Sequence, residues 1–275
     1  MTPLLQLSGL DKRFGQVVVA EALDLAVAEG EAVGIVGPNG AGKSSLFAMV
    51  SGDLKPDAGR VAFDGEDVTS RPAHQRCRAG IGRTYQVPRP FEGMTVFENV
   101  LVSASQGGGL HGRAAQQQAA EVLAECGLAG AANQRAGSLS LLQRKRLEVA
   151  RGLATGPKLL LLDEVAGGLT EPEVLELVEL IGRVKARGVA VVWIEHVVHA
   201  LVKSVDRLLC LAGGRFIADG DPATVLADPQ VLELYFGSGP EAVTIPDEEP
   251  AGGPAEGGAP ASQSLPAAPG EEAAR

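Results

Sequence analysis

The chain has 275 residues, a 45% hydrophobic share and a formal net charge of −10. That length holds one large domain or two small ones with a sizeable core, and the acidic balance excludes a nucleic-acid binder that relies on a basic surface. The charge is uneven, because Ser238–Arg275 carries seven acidic residues and one basic, which leaves −4 for the rest. Cys77, Cys126 and Cys210 stand far apart with no paired spacing, and read as reduced thiols of a cytosolic protein rather than a disulfide frame or a zinc site. Met1–Leu5 has no basic region followed by an apolar run, so no signal peptide is expected. No stretch reaches the ~18 uninterrupted apolar residues that span a bilayer. Work at a membrane would need another chain to supply the spanning part.

Residues 4–36 alternate apolar and polar, with turns at Lys12–Gln16 and Ala28–Glu31, which predicts antiparallel strands leading into a Gly-rich segment. Glu31–Val36 reads as a buried strand and Ser44–Val50 as a helix. Asp57–Gly65 predicts a turn, a strand and a turn. From about Val96 to Ala154 the pattern is helical, in pieces at Val96–Leu101, Gln116–Cys126 and Leu141–Leu153. Leu159–Leu162 is a short apolar run ending in Asp163-Glu164, as in a buried parallel strand. Val174–Ala186 is an amphipathic helix, and Val189–Ile194 a second buried strand ending at Glu195-His196. Helices alternating with such strands predict an α/β sheet with ligands at the carboxyl ends of its strands. Past Gly237 the composition turns to Pro, Gly, Ala and Glu, and a disordered tail over 238–275 is expected.

Gly37-Pro38-Asn39-Gly40-Ala41-Gly42-Lys43-Ser44, followed by Ser45, fits the G-x-x-x-x-G-K-[ST] pattern of a phosphate-cradling loop. Glycines let the backbone wrap so that successive N–H groups face phosphate oxygens. Lys43 supplies a point charge for β- and γ-phosphates, and the Ser44 hydroxyl suits Mg²⁺. The loop opens a helix, whose N-terminus favours anions. Asp163 at a strand end can hold Mg²⁺ through water or Ser44, and Glu164 can polarise an attacking water or serve as a helix N-terminal charge. His196 ends a strand that should lie beside the Asp163 strand, within reach of a γ-phosphate; a hydrogen-bonded structural imidazole is the other reading. Gln86, at the junction with the helical segment, could contact Mg²⁺ and a moving element, or be a solvated polar residue. Phe14, in a turn with basic neighbours, could stack on adenine or pack in the core.

With these motifs in order, residues 4–237 resemble the ATP-binding subunit of ABC transporters. The shared features are Gly37–Ser45 (Walker A), Gln86 (Q-loop), Asp163 and Glu164 (Walker B and general base) and His196 (switch histidine). Gly80–Gln86, Met94–Val100, Ala166–Leu169, Ile194–His196 and Asp228–Gly237 are most similar to the first of the two ATPases in branched-chain amino acid uptake systems. The resemblance implies a P-loop NTPase (RecA-like) α/β core over residues 1–237, with an antiparallel β subdomain and an inserted helical subdomain at about 96–154. It implies Mg²⁺-dependent ATP hydrolysis by Glu164, His196, Lys43 and Gln86. Phe14 and Ser140 would join Walker A around nucleotide, and Ser44, Gln86 and Asp163 would serve the metal.

The resemblance further implies a nucleotide sandwich with a second ABC ATPase subunit or with a second copy of this chain. Two membrane permease subunits and, indirectly, an external substrate-binding protein would be partners, with the chain on the cytoplasmic membrane face. A soluble ABC ATPase and a catalytically impaired regulatory subunit are the alternatives. Departures stand at Leu139-Ser140-Leu141-Leu142-Gln143, where Leu142 takes the glycine place of the signature loop. Such a side chain hinders approach to the opposite nucleotide and would forbid a positive φ if one is needed. Val165 replaces the proline after the glutamate, Thr170 stands where Asn or Asp is usual, and Gln106–Arg113 is shorter than the subtype suggests.

Overall fold

The computed structural model describes residues 2–236. In chain order it contains β1 (Leu5–Phe14), β2 (Val17–Val27), β3 (Ala32–Val36), α1 (Lys43–Ser51), β4 (Ala58–Phe63), β5 (Glu66–Asp67), α2 (Ala73–Ala79) and β6 (Ile81–Arg83). Helices α3 (Val96–Val102), α4 (Gly112–Glu125) and α5 (Leu141–Ala154) follow, then β7 (Leu159–Asp163), α6 (Glu171–Ala186) and β8 (Ala190–Ile194). The described residues close with α7 (Val198–Val202), β9 (Arg207–Ala212), β10 (Arg215–Gly220), α8 (Pro222–Leu226) and α9 (Pro229–Phe236). The tail expected over 238–275 lies outside the described residues.

Two sheets form. One has four strands in the order β2-β1-β4-β5, and the other six in the order β10-β9-β3-β8-β7-β6. β1 and β2 pair antiparallel, as their alternation predicts. β3 does not continue that sheet. It pairs parallel with β8 and β9, because Ala32–Val36 is apolar at every position and buried throughout. A strand with no polar face needs cover on both sides, which the parallel sheet provides. The predicted antiparallel lead-in is therefore limited to β1 and β2.

Period-two side-chain direction divides the core. Leu159 and Leu161 of β7 join one cluster with Leu46, Phe47 and Met49 of α1 and the inner faces of β1, β2 and β4. Leu160 and Leu162 face the opposite way, into a cluster with Trp193 and residues of α3 to α6. The parallel sheet is thus covered by α1 and the antiparallel sheet on one side and by the helical insertion and α6 on the other.

The helical insertion runs between β6 and β7. Its first helix starts with a reciprocal capping box between Thr95 and Glu98. After a π-helical turn at Ser103–Gly107 the chain needs only four residues to reach α4, which accounts for the short Gln106–Arg113 segment. Thr170 also has a local role, in a capping box with Glu173 at the start of α6.

Leu162→Ala, at a fully buried position, is expected to cost about 2–5 kcal/mol in unfolding free energy. Denaturant titration checks this, and a loss under about 1 kcal/mol would contradict the two-sided burial of β7.

Candidate active site

The Gly37–Gly42 loop leaves the carboxyl end of β3 and turns into α1. Two glycines are required by space as well as by conformation. A Cβ on Gly37 would lie 2.1 Å from the Leu211 carbonyl oxygen, and one on Gly42 would lie 2.0 Å from that of Val19, with φ at +106°. α1 has no side-chain cap and no acidic residue in its first turn, so its N-terminal N–H groups keep their capacity for an anion. Lys43 is buried, and its Nζ folds back to donate to the carbonyl oxygens of Gly37 (2.6 Å) and Pro38 (3.0 Å). Burial lowers its pKa, with Glu164 and then Asp163 opposing the shift.

β7 and β8 bring the second group of residues to the same edge. Their parallel register sets Asp163 opposite Ile194, so Glu164 and Glu195-His196 emerge side by side. His196 Nδ1 lies 4.0 Å from Glu164 Oε2, and the Gln86 amide donates to that same oxygen at 2.5 Å. Lys43, Gln86, Glu164 and His196 therefore converge, joined by Asp163. The Gln86 amide is thus paired with Glu164. Ser44 and Ser45 occupy the first turn of α1.

Asp163 is nearly fully buried, and burial raises its pKa against the opposing Arg83 guanidinium. Arg83 Nη2 approaches Asp163 Oδ2 at 3.4 Å, and Asp163 Oδ1 is buried without a hydrogen-bond partner. An orphaned carboxylate oxygen is costly in a protein interior. That oxygen, and the Ser44 hydroxyl at the start of α1, are hard oxygen donors of the kind Mg²⁺ takes.

Two predicted residues sit apart from this group. Phe14 ends β1 half exposed, with Lys12 Nζ 5.4 Å from its ring centroid, so the core-packing reading does not hold. Ser140 caps α5: its Oγ accepts from Gln143 N at 3.3 Å, while its own N–H donates to Gln143 Oε1 at 3.1 Å. Since α5 begins at Leu141 and Leu142 is absent from the positive-φ residues, no positive φ is needed at Leu142. Any obstruction there comes from side-chain bulk alone.

Three residues of the site escaped sequence reasoning. Arg83 bridges Asp163, Asp53 and Ser51. Lys145 is buried and donates to the carbonyl oxygens of Gln86 (3.0 Å) and Glu164 (2.9 Å). Glu195, also fully buried, accepts from Ala166 N–H at 2.6 Å and from His196 N–H at 3.1 Å. Arg144-Lys145-Arg146 looks like a solvated basic face in sequence. For Glu195 the available signal was a charged residue closing an otherwise apolar strand.

The ABC transporter family profile matches residues 20–167. The chain is 36% identical over 250 residues to the high-affinity branched-chain amino acid transport ATP-binding protein BraF of Pseudomonas aeruginosa, covering 86% of this chain and 98% of the relative. It is 35% identical over 237 residues to the lipopolysaccharide export system ATP-binding protein LptB of Acidithiobacillus ferridurans, with the same two coverages. Among solved structures, an ATP-binding cassette of an ABC transporter in its ADP conformation superposes with a TM-score of 0.80 at 30% identity, over 86% of this chain and all of that one.

The chain belongs to the ABC transporter family. It is a nucleotide-binding, ATP-hydrolysing cassette of the P-loop NTPase fold. Among the described residues no helix is long and apolar enough to cross a membrane.

Gly42→Ala is expected to shift the loop against Val19 and weaken ATP binding about ten- to a hundredfold, from ~1–3 kcal/mol of backbone strain. Titration with a fluorescent nucleotide reads this. Wild-type affinity in a folded variant would contradict the close-approach argument.

Proposed function

We propose that this chain is the ATP-hydrolysing subunit of an importer for branched-chain amino acids, other amino acids or amides, working with separate membrane subunits at the cytoplasmic face. The observation that carries the catalytic part is the convergence of Gln86, Glu164 and His196 beside Lys43 and Asp163. The substrate class rests on the relatives, several of which are named as branched-chain amino acid transport proteins.

In this reading the N–H groups of the Gly37–Ser45 segment and the Lys43 ammonium hold the triphosphate, and Lys43 leaves the Gly37 and Pro38 carbonyls to do so. Phe14 stacks on the adenine. Ser44 and Asp163, with Gln86, would hold Mg²⁺, which neutralises phosphate charge when bound. Glu164 orients the attacking water and takes its proton, and His196 keeps the water and the γ-phosphate in register. The transferring phosphoryl charge is met by preorganised donors rather than by solvent.

The Gln86–Glu164 hydrogen bond gives this chemistry a link to transport. The Gln86 amide competes with a water for Glu164 Oε2. Gln86 belongs to the segment that leads into the helical insertion, so a shift of that insertion against membrane subunits bears directly on the base.

The partner in the nucleotide sandwich is a second, different ATPase subunit. The Walker residues of this chain are complete, while Leu141 and Leu142 enlarge its own signature loop. The composite site on this chain's phosphate loop hydrolyses ATP, and the opposite site, completed by this signature loop, is impaired. Glu164→Gln should therefore remove most turnover of the assembled transporter, and the equivalent change in the partner should remove little. Equal losses from both would reject the asymmetry.

A second reading has export of a lipid-linked saccharide as the work, because the lipopolysaccharide export relative matches over the same share of chain. Uptake of labelled leucine, other amino acids and amides by vesicles holding the assembled complex separates the two. ATP-dependent uptake lost with Lys43→Ala supports import, and absence of uptake with an active ATPase favours the second reading.

A further inference from the structure

Glu164 has a backbone angle that its residue type disfavours. Its φ is +46°, one of only three positive values at non-glycine positions among the described residues. A left-handed conformation costs a side-chain-bearing residue roughly 1–2 kcal/mol and persists only where the surroundings over-determine it. Proline does not fix the next residue, which is Val165. Something else has to hold the turn.

The turn's own bond, from Gly167 N–H to the Glu164 carbonyl, is long at 3.3 Å; three shorter hydrogen bonds come from outside the turn, from three directions. Glu164 N–H donates to the Ile194 carbonyl at 2.9 Å. Its carbonyl accepts from Lys145 Nζ at 2.9 Å, and two residues on, Ala166 N–H donates to Glu195 Oε1 at 2.6 Å. Two of these partners are ionisable side chains, 4% and 0% exposed. A buried charge is costly unless paired and hydrogen-bonded. Here a cation and an anion grip successive peptide groups of one turn. Burial holds Lys145 below the usual amine range, and the Glu195 carboxylate is the first group opposing that shift.

Each residue also reaches a second part of the site. Lys145, on α5, donates to the Gln86 carbonyl as well. Glu195 accepts from His196 N–H, and its Oε2 lies 3.4 Å from His196 Nδ1. One pair of buried charges thus connects the backbone of all three residues whose side chains meet at Glu164 Oε2.

We infer that Lys145 and Glu195 are positioning residues, two buried side chains of opposite sign that hold the 164–166 turn in its left-handed form and so aim the Glu164 carboxylate at the attacking water. This rests on Glu164 being the base. Neither residue touches nucleotide, so their loss acts on the hydrolytic step and not on binding. A misplacement of about 1 Å at such a carboxylate can cost a hundredfold in rate.

The test uses Lys145→Met, Glu195→Gln and the double variant in the full chain assembled with its transporter subunits, with Glu164→Gln alongside. Single-turnover hydrolysis of bound ATP, ATP affinity and amide exchange over residues 163–168 are measured. Each single variant should lose about ten- to a hundredfold in rate, with ATP affinity within about threefold of wild type. The double variant should fall no further than the worse single, since both act on one turn, and exchange over 163–168 should quicken. A single variant with an uncompensated buried charge can fail to fold. The neutral double leaves no such charge, and it then decides the matter. Wild-type hydrolysis in the folded double, or affinity falling in step with rate, overturns the proposal. An inactive Glu164→Gln beside a fully active double sinks the positioning role alone, whereas an active Glu164→Gln removes the base assignment and the role with it.

Discussion

Asp163 lies opposite Ile194 because β7 and β8 pair in parallel, and β8 lies in turn beside β3. In that register the three strands end at one level. β3 delivers the Gly37–Gly42 loop, β7 delivers Asp163 and Glu164, and β8 delivers Glu195 and His196. None of these residues has to search for its neighbours, since backbone hydrogen bonds set their spacing before any side chain is placed. The composition of the three strands, apolar except for Asp163 at the end of β7, keeps that register, because burial on both faces leaves no alternative surface for them to present.

The electrostatics of the edge follow from its depth. Lys43, Asp163, Lys145 and Glu195 are all buried, and burial shifts each toward its neutral form: the two carboxyls upward and the two amines downward. Opposite charges or backbone donors nearby counter each shift. Arg83 serves Asp163, the glutamates and Asp163 serve the lysines, and backbone N–H groups serve Glu195. An unpaired member of such a group would be expensive, so the residues behave as a unit. Asp163 Oδ1 and Arg83 Nε are the exceptions, buried without a hydrogen-bond partner.

Helix α5 connects this edge to the rest of the molecule. At its start, Ser140 and Gln143 form a capping box, with Leu141 and Leu142 in the first turn. One turn on, Lys145 grips the Gln86 and Glu164 carbonyls. Next, Glu148 accepts from Arg89 N–H at 2.6 Å, and Arg151 donates to the Arg89 carbonyl at 2.8 Å. A spacing of three residues puts these groups on one helix face. The signature loop, the Gln86 segment and the catalytic turn are therefore attached to one rigid element.

Much of this is legible in the amino-acid sequence itself. The phosphate loop is a local motif, and its glycines, Lys43 and Ser44 act through neighbours in the chain. The apolar runs ending in Asp163-Glu164 and His196 announce buried strands with polar ends, because period and burial are properties of short segments. The capping boxes at Thr95, Ser140 and Thr170 belong to the same class. What the chain order could not convey is pairing across distance. That β3 leaves the antiparallel sheet, that β8 pairs with β3 as well as with β7, and that Gln86 turns to Glu164 depend on which strands meet. Lys145 looks like part of a basic surface run, and Glu195 like a strand-end charge, until the fold buries both against one turn. Local chemistry is written in local sequence. The partner of a buried charge is chosen only when distant segments are packed together, since only then does leaving it unpaired carry a cost.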